Sequence, residues 1–462
     1  MGIKDSKTYR LITEQFGIDG AIAYSSGARV FQALAGVVNV FFIAAYLSPE
    51  EQGFYYTFGS VLAIRVFFEL GFTGIMTQYV AHEAAHLKLG EEGRFEGEEK
   101  YLSRLAYLTK FCIKWYAIIS AVFFVVILIV GYLYFEKYDT TNGAVNWKGP
   151  WLLISISSAI ALFQSPLSAI LQGLGKVKET SMITFYQQFY IPILQWILLA
   201  SGVSLYVVGI GSLAVILIWF IYVGKMGLWK ILMNLMREKV TEKVSYFKEI
   251  FPYQWKIAVS WMSGYFIFQL FNPVLFATEG AVVAGQMGMT LSVLNAIQAF
   301  ALNWQNTKVP RYSALIELKQ YDELDSLFDK TLKQMSVVCC GLLAAMFGAV
   351  YLLRATGLTI RGSVVGDRFL DYIPLLLMMI PVLINQFVSS WATYLRCHKQ
   401  EPILVTSVVV AILCCCSTFG LGNIWGVYGI TGGYCAIRVL VSLPWIHHIF
   451  VVKKREWHTN QV

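Results

Sequence analysis

The chain has 462 residues, 57% of them hydrophobic and 14% charged, with a mean hydropathy of +0.59. Soluble globular domains run at about half apolar and about a quarter charged, so this composition excludes an ordinary soluble enzyme and points to a polytopic membrane protein. The formal charge of +8 does not mark a nucleic-acid partner: the basic residues are not clustered on a soluble domain but lie between apolar segments, where they report membrane orientation.

Twelve apolar segments follow one another at 22–47, 53–80, 111–134, 150–173, 181–201, 204–224, 257–278, 281–306, 334–353, 372–395, 402–420 and 424–452. The uncharged run 181–224 is too long for one span and divides at Ser201-Gly202-Val203-Ser204, a turn-forming cluster. Before the first span, the N-terminus has no signal-peptide core. Its match to the myristoylation pattern rests on three positions and is read as chance. With the N-terminus inside, 28 of the 36 Lys and Arg fall on the cytoplasmic side and five on the other, with Arg29, Arg65 and Arg438 inside spans. A wrong span count would scramble this bias, so both termini are predicted to be cytoplasmic.

Two loops are long and basic, 81–110 and 225–256. The second mixes apolar and basic residues at helical spacing and reads as an amphipathic helix on the inner-leaflet surface. Gly53 precedes Ser60-Val61-Leu62 by the same spacing that separates Gly285 from Ser292-Val293-Leu294, which suggests two parallel halves. The expectation is an all-α polytopic membrane protein of about twelve transmembrane helices. They form two pseudo-symmetric six-helix lobes, 1–224 and 257–462, with 225–256 as an amphipathic linker.

The eight cysteines show neither zinc-ligand nor disulfide-framework spacing. Cys414, Cys415 and Cys416 point about 100° apart on a helix and cannot converge on one ion. No metal site and no cofactor are expected. "GLGKVKE" at 173–179 lacks the Walker spacing, so energy is expected from an H+ or Na+ gradient.

Away from span ends, the charged residues within the spans are Arg29, Arg65, Glu69 and Arg438. An arginine at a helix centre costs about 2.5–3.5 kcal/mol to insert and should face a cavity or a partner. Arg65 and Glu69 are i, i+4 neighbours that can pair on one face, but three cations against one anion leave the interior positive. Gln32 and Asn39 share a helical face with Arg29, and Thr431, Tyr434 and Ser442 share one with Arg438. Gln269 and Asn272, then Asn295 and Gln298, add amides at i, i+3. Each amide alone reads first as an interhelical hydrogen bond. The arginines differ, because guanidinium forks match phosphate and tolerate burial. A positive cavity selects an anion, whereas an exporter of cationic drugs needs carboxylates, and Glu69 is the one within a span.

"YLSPEEQGFYYTFGSVLAIRVFFELGF" at 46–72, "ELGFTGIMTQYVAHE" at 69–83 and "YLRCHKQEP" at 394–402 resemble the oligosaccharide flippases. These form the Wzx-type branch of the multidrug/oligosaccharidyl-lipid/polysaccharide exporter superfamily. The resemblance implies a V-shaped bundle that moves undecaprenyl-diphosphate-linked oligosaccharide across the bacterial inner membrane, without enzymatic chemistry, for O-antigen or other surface polysaccharide. It also implies membrane lipids and polysaccharide polymerase machinery as partners. Arg29, Arg65 and Arg438 are the candidates for the pyrophosphate or acidic sugars; they rest on depth and charge rather than on a shared motif. Gln32, Asn39, Gln269, Asn272, Asn295 and Gln298 would line the cavity, and Glu69 would couple the ion. Lipid II flippases usually carry two further spans; none is found after residue 452, which argues against the peptidoglycan precursor as cargo.

Two other readings compete. A drug/cation antiporter of the same fold is opposed by the carboxylate count. A membrane polysaccharide polymerase or ligase would need a long outer loop with catalytic arginines. Arg354, Arg361 and Arg368 sit in a short one, read here as solvated.

Overall fold

The computed structural model describes residues 31, 35–36, 38–90, 93–360, 363–398 and 402–459; Arg29, Gln32 and Arg361 lie outside them. Helices dominate: α1 (Pro49–Leu62), α2 (Val66–Glu69), α3 (Phe72–Ala84), α4 (Glu99–Tyr138), α5 (Lys148–Gly173), α6 (Val177–Ala200), α7 (Tyr206–Lys225) and α8 (Leu228–Arg237) come first. Then follow α9 (Phe251–Phe268), α10 (Phe271–Thr278), α11 (Ala281–Asn306), α12 (Val309–Glu317), α13 (Tyr321–Ala355), α14 (Tyr372–Cys397), α15 (Leu404–Ile437) and α16 (Leu443–Thr459). Two small hairpins interrupt them: β1 (Leu87–Leu89) with β2 (Phe95–Gly97), and β3 (Thr359–Ile360) with β4 (Ser363–Val364).

Among the described residues, six helices are long and apolar enough to cross a membrane, or seven if the bent pair 49–69 and 72–84 is one span. The difference from twelve has physical causes. Gln187, Gln188 and Gln195 lower the hydropathy of α6, and Gln286, Asn295 and Gln298 lower that of α11. The chain breaks between α9 and α10. The stretch 404–457 counts once although it doubles back. Gly426, at φ 54° and ψ −134°, is not helical. On either side of it the chain packs on itself, a Cβ on Gly433 falling 2.0 Å from Ser417 Oγ. The turn lies at Gly426 rather than at 421–423, and Glu279 accepts a hydrogen bond from Val427 N–H at 2.6 Å there.

Packing divides the chain into two units: Met1–Ala35, Arg65–Leu133 and Trp147–Ala258 form one, and Gly36–Ile64, Tyr134–Asn146 and Val259–Val462 form the other. In the first, glycines let helices close on one another, as small residues do in membranes. A Cβ on Gly209 would lie 2.7 Å from Leu153 Cγ, and one on Gly173 would lie 2.7 Å from Thr77 O. The linker is stitched onto α4: Ser103 Oγ accepts from the N–H groups of Thr241 and Glu242, both at 2.8 Å. Arg104 pairs with Glu83 at 2.9 Å and with Glu249 at 2.8 Å. The linker's helix, α8, turns Leu228, Ile231, Leu232 and Leu235 into the unit, so its apolar face is covered by protein, not laid on the leaflet as the sequence suggests.

The second unit is organised around α1 against α11. Ser48 caps α1 and Glu51 returns the bond to the Ser48 N–H at 2.8 Å, with Pro49 in the first turn. The Pro-Glu-Glu motif is therefore a helix start. Gly53 meets α11 so closely that a Cβ would sit 1.9 Å from Ala281 O, and Gly285 faces Gly53 in return. The two glycines matched by the internal repeat thus contact each other. Gln52, 1% exposed, donates to Gly285 O at 2.8 Å and to Arg368 O at 3.1 Å. Arg368, 2% exposed, donates to Leu47 O at 2.9 Å and to Ser363 Oγ at 3.0 Å, a cation set against the carbonyl end of the helical residues 38–46. Arg354 donates to the carbonyls of Gly366, Phe369 and Leu370 at 3.2–3.3 Å. These two arginines, read from the sequence as solvated, are structural cations built into their loop.

This packing can be tested at two places. Gly53→Val forces a side chain into the Ala281 backbone and is expected to cost about 1–3 kcal/mol or more, read as a lower melting temperature. Gly36→Ala, where nothing lies within 4 Å, should be silent; equal melting of both variants would refute the seam. The second test concerns pH. The Arg104 guanidinium, with the Ser245 N–H, holds the Glu249 carboxyl below the usual carboxylate range. Because the folded value is depressed, its contribution is complete above the ordinary carboxylate pKa and fades as pH falls through the folded value. Protection of the amides 241–250, corrected for the intrinsic slowing of exchange in acid, should therefore fall on acidification, and Arg104→Gln should lower it already at neutral pH.

Candidate functional site

Within the second unit, a cavity of about 270 Å³ opens between α1, α10, α11, α14 and α15. Gln269 and Asn272 reach it from the α9–α10 break, and Asn295 and Gln298 from one face of α11. Four of the six amides singled out in the sequence therefore share one wall. Tyr56 and Ser60 from α1, Asn385 from α14 and Tyr434 from α15 complete it. Asn272 Nδ2 donates to Ser60 Oγ at 3.1 Å, while its Oδ1 is buried without a partner. Asn39 is placed elsewhere in the unit, half-buried, with an unpartnered Oδ1.

One turn beyond Tyr434 lies Arg438, 5% exposed. It opens a π-helical turn, Arg438–Ser442; such turns widen the helix and often accompany functional sites. Thr431, Tyr434, Arg438 and Ser442 are all buried. Among the described residues Arg438 has neither an ion pair nor a hydrogen bond, and its Nε and the Ser442 Oγ are sealed without partners. A buried guanidinium in that condition is costly unless an anion or water answers it.

In the first unit, the apolar run of span 2 breaks where its charges sit. The 3₁₀ turn Ala63–Arg65 ends at the first residue of the unit's segment Arg65–Leu133 and leads to α2, and Leu70 (φ 49°) and Gly71 (φ 67°) then break the helical path before α3. Glycine is required at 71: beyond the positive φ, a Cβ would lie 2.5 Å from Ile257 Cγ2. Arg65 Nε stands 3.8 Å from Glu69 Oε2, with the arginine side chain 43% exposed and the glutamate 11%. That separation is Coulombic contact without a hydrogen bond. Glu69 instead accepts from Thr73 Oγ at 2.6 Å. The pair foreseen from i, i+4 spacing is thus loose and leaves the guanidinium's donors open.

Sequence reading passed over Asn385, although "INQF" at 384–387 places two amides in an apolar span. Gln386, its neighbour, points away and donates to Gln298 O at 3.3 Å. Gln52 was also missed; only its burial against Gly285 reveals its part.

No protein-family model matches the chain, and no curated protein matches it by sequence. Solved structures do. An inward-facing multidrug resistance MATE family transporter of the MOP superfamily superposes with a TM-score of 0.59 at 12% identity, covering 92% of this chain and 99% of that one. The lipid II flippase MurJ, in an inward closed conformation, gives 0.57 at 15% identity, covering 94% and 90%. The MATE multidrug transporter DinF-BH gives 0.57 at 15%, covering 95% and 96%. The fold is that of the MOP-superfamily transporters. This is a multi-pass membrane protein that shares its fold with those transporters, and the amide cavity and Arg438 lie within that fold.

Burial without a partner has a consequence for stability. Arg438→Met replaces an unanswered cation with an apolar chain of similar length, and such replacements are often neutral or stabilising. The variant is expected to melt at or above the wild-type temperature in detergent. A clear drop would mean that the guanidinium holds the fold together and is not held ready for a ligand.

Proposed function

We propose that the protein is a flippase for lipid-linked oligosaccharides whose diphosphate is received by arginines. It would carry undecaprenyl-diphosphate-linked repeat units across the bacterial inner membrane by ion-coupled alternating access, for surface polysaccharide biosynthesis. The observation that carries this reading is Arg438: buried, unpaired among the described residues, and one turn from a cavity walled by amides. A guanidinium there offers forked donors to phosphate oxygens, and the amides offer both donors and acceptors to sugar hydroxyls. Arg65, loosely held by Glu69, supplies a second cation. Arg29 and Gln32 belong to the same proposal from their sequence positions.

In this reading the moving parts are the lobes 1–224 and 257–462, joined by 225–256, with both termini cytoplasmic. The contact of Gly53 and Gln52 with Gly285 ties the N-terminal segment 36–64 to C-terminal helices, and alternating access requires that seam to part. Glu69 is the default ion-coupling carboxylate, for H+ or Na+. The protein itself makes and breaks no bonds of its cargo; polymerase machinery would act on what it delivers. A drug/cation antiporter is the second reading, favoured by the fold shared with multidrug transporters and opposed by an interior poorer in carboxylates than in arginines.

The test is made in the native host with the gene under inducible control, by assigning diphosphate-linked glycans to a membrane leaflet. Depletion should strand complete repeat units on the cytoplasmic side. Wild type should clear them, while Arg438→Met, once shown by melting to be folded, should leave at least about ten-fold more behind, since a charge-assisted contact is worth about 1.5–3 kcal/mol. Full clearance by Arg438→Met would remove the arginine from the site. No accumulation on depletion, with new sensitivity to cationic drugs, would transfer the case to the antiporter.

A further inference from the structure

Away from the cavity just described, the first unit gathers three cations around a second one. With its apolar side turned inward, α8 leaves Lys230, Met233, Asn234 and Arg237 along its other face. The β1–β2 hairpin is held against this helix. Asn234 Nδ2 donates to Gly93 O at 3.1 Å, and Gly93 approaches so closely that a Cβ there would lie 3.4 Å from Ile231 Cγ1. The tether sets Arg94 beside the helix. Between them lies a cavity of about 310 Å³ lined by Arg94, Trp229, Lys230, Met233, Asn234 and Arg237.

Among the described residues, its wall carries three positive charges and no carboxylate. None of the three has an ion pair or a side-chain hydrogen bond among the described residues, although in the same unit Arg104 pairs with two glutamates, one of them in the linker. Like charges gathered without counterions favour an anionic ligand. The position indicates which one. The apolar span α7 ends at Lys225, and only Met226 and Gly227 separate it from α8. Trp229 stacks on Phe220 of that span at 5.7 Å and 13°, a tryptophan at the level where such rings mark the membrane–water boundary. Met233 and Met236 stand exposed beside the cations, offering an apolar surface next to a phosphate site.

We propose that this cavity binds the phosphate headgroup of an anionic phospholipid of the cytoplasmic leaflet. The lipid would fix the linker and the hairpin to the membrane at the end of α7. The site is distinct from the cargo cavity and would stand whatever the transported molecule is.

The full-length protein, purified in detergent, is titrated with phosphatidylglycerol, with phosphatidylcholine and with inorganic phosphate, and bound lipid is counted by native mass spectrometry. Wild type should retain phosphatidylglycerol over phosphatidylcholine. Arg94→Gln/Lys230→Gln/Arg237→Gln should weaken retention by about five-fold per cation removed, and the solvent-exposed Lys230→Gln alone by about five-fold. A control of equal charge loss in the same linker, Lys243→Gln/Lys248→Gln/Lys256→Gln, should retain lipid as wild type does. Equal loss in the control, or wild-type retention by both cavity variants, would overturn the site. Displacement of phosphatidylglycerol by inorganic phosphate at matching concentration would assign the cavity to free phosphate and overturn the lipid.

Discussion

Inside hydrocarbon, a polar group that the protein does not satisfy goes unsatisfied, and each one costs several kcal/mol. The second unit is arranged around that constraint. Gln52 directs its amide to two carbonyls, and Arg368 closes the carbonyl end of one helical segment while touching a hydroxyl from its own loop. Ser48 and Glu51 cap the helix that follows. Glu279 answers the N–H that the Gly426 turn exposes. Where so much is satisfied, the groups that are not become informative. Among the unpartnered groups of the described residues, Asn272 Oδ1 lies on one small cavity, and Arg438 Nε and Ser442 Oγ lie on the helical segment that follows its Tyr434.

Close approach of backbones makes the satisfied part possible. Gly53 and Gly285 allow α1 and α11 to touch, which brings Gln52 within reach of the Gly285 carbonyl. The same pairing lets Tyr56 of α1 and Asn295 of α11 look into one space. A substitution at either glycine would therefore act on the cavity as well as on stability, through helix separation and not through lost contacts with a ligand. In the first unit the corresponding tie is electrostatic. Arg104 binds two glutamates at the foot of α4, while Arg65 and Arg438, within their spans, bind none so closely. The contrast separates cations that hold the fold from those on which the proposed function rests.

Much of this was legible in the sequence, for local reasons. The spans follow from hydropathy, and α11 matches its predicted limits at both ends. The Ser-Pro-Glu-Glu stretch reads directly as a capped helix start. Arg65 with Glu69 at i, i+4 and the amides of the α9–α10 break and α11 were visible as polar exceptions in apolar text. Other features were not. The apolar face of α8 looks the same in sequence whether lipid or protein covers it. Arg354 and Arg368 look like loop residues because their partners are backbone carbonyls, which leave no mark in the sequence.

The sequence by itself determined that this chain is a multi-pass helical membrane protein and which apolar segments carry charge, because insertion energetics act on each segment separately. Tertiary structure alone decided which charges are answered. That the Arg368 guanidinium meets Leu47 and Gln52, that Gly53 meets Gly285, and that four amides and Asn385 share a wall one turn from Arg438, unpaired among the described residues, depends on helices distant in the chain. Proximity between such helices is a property of packing, and hydropathy carries no record of it.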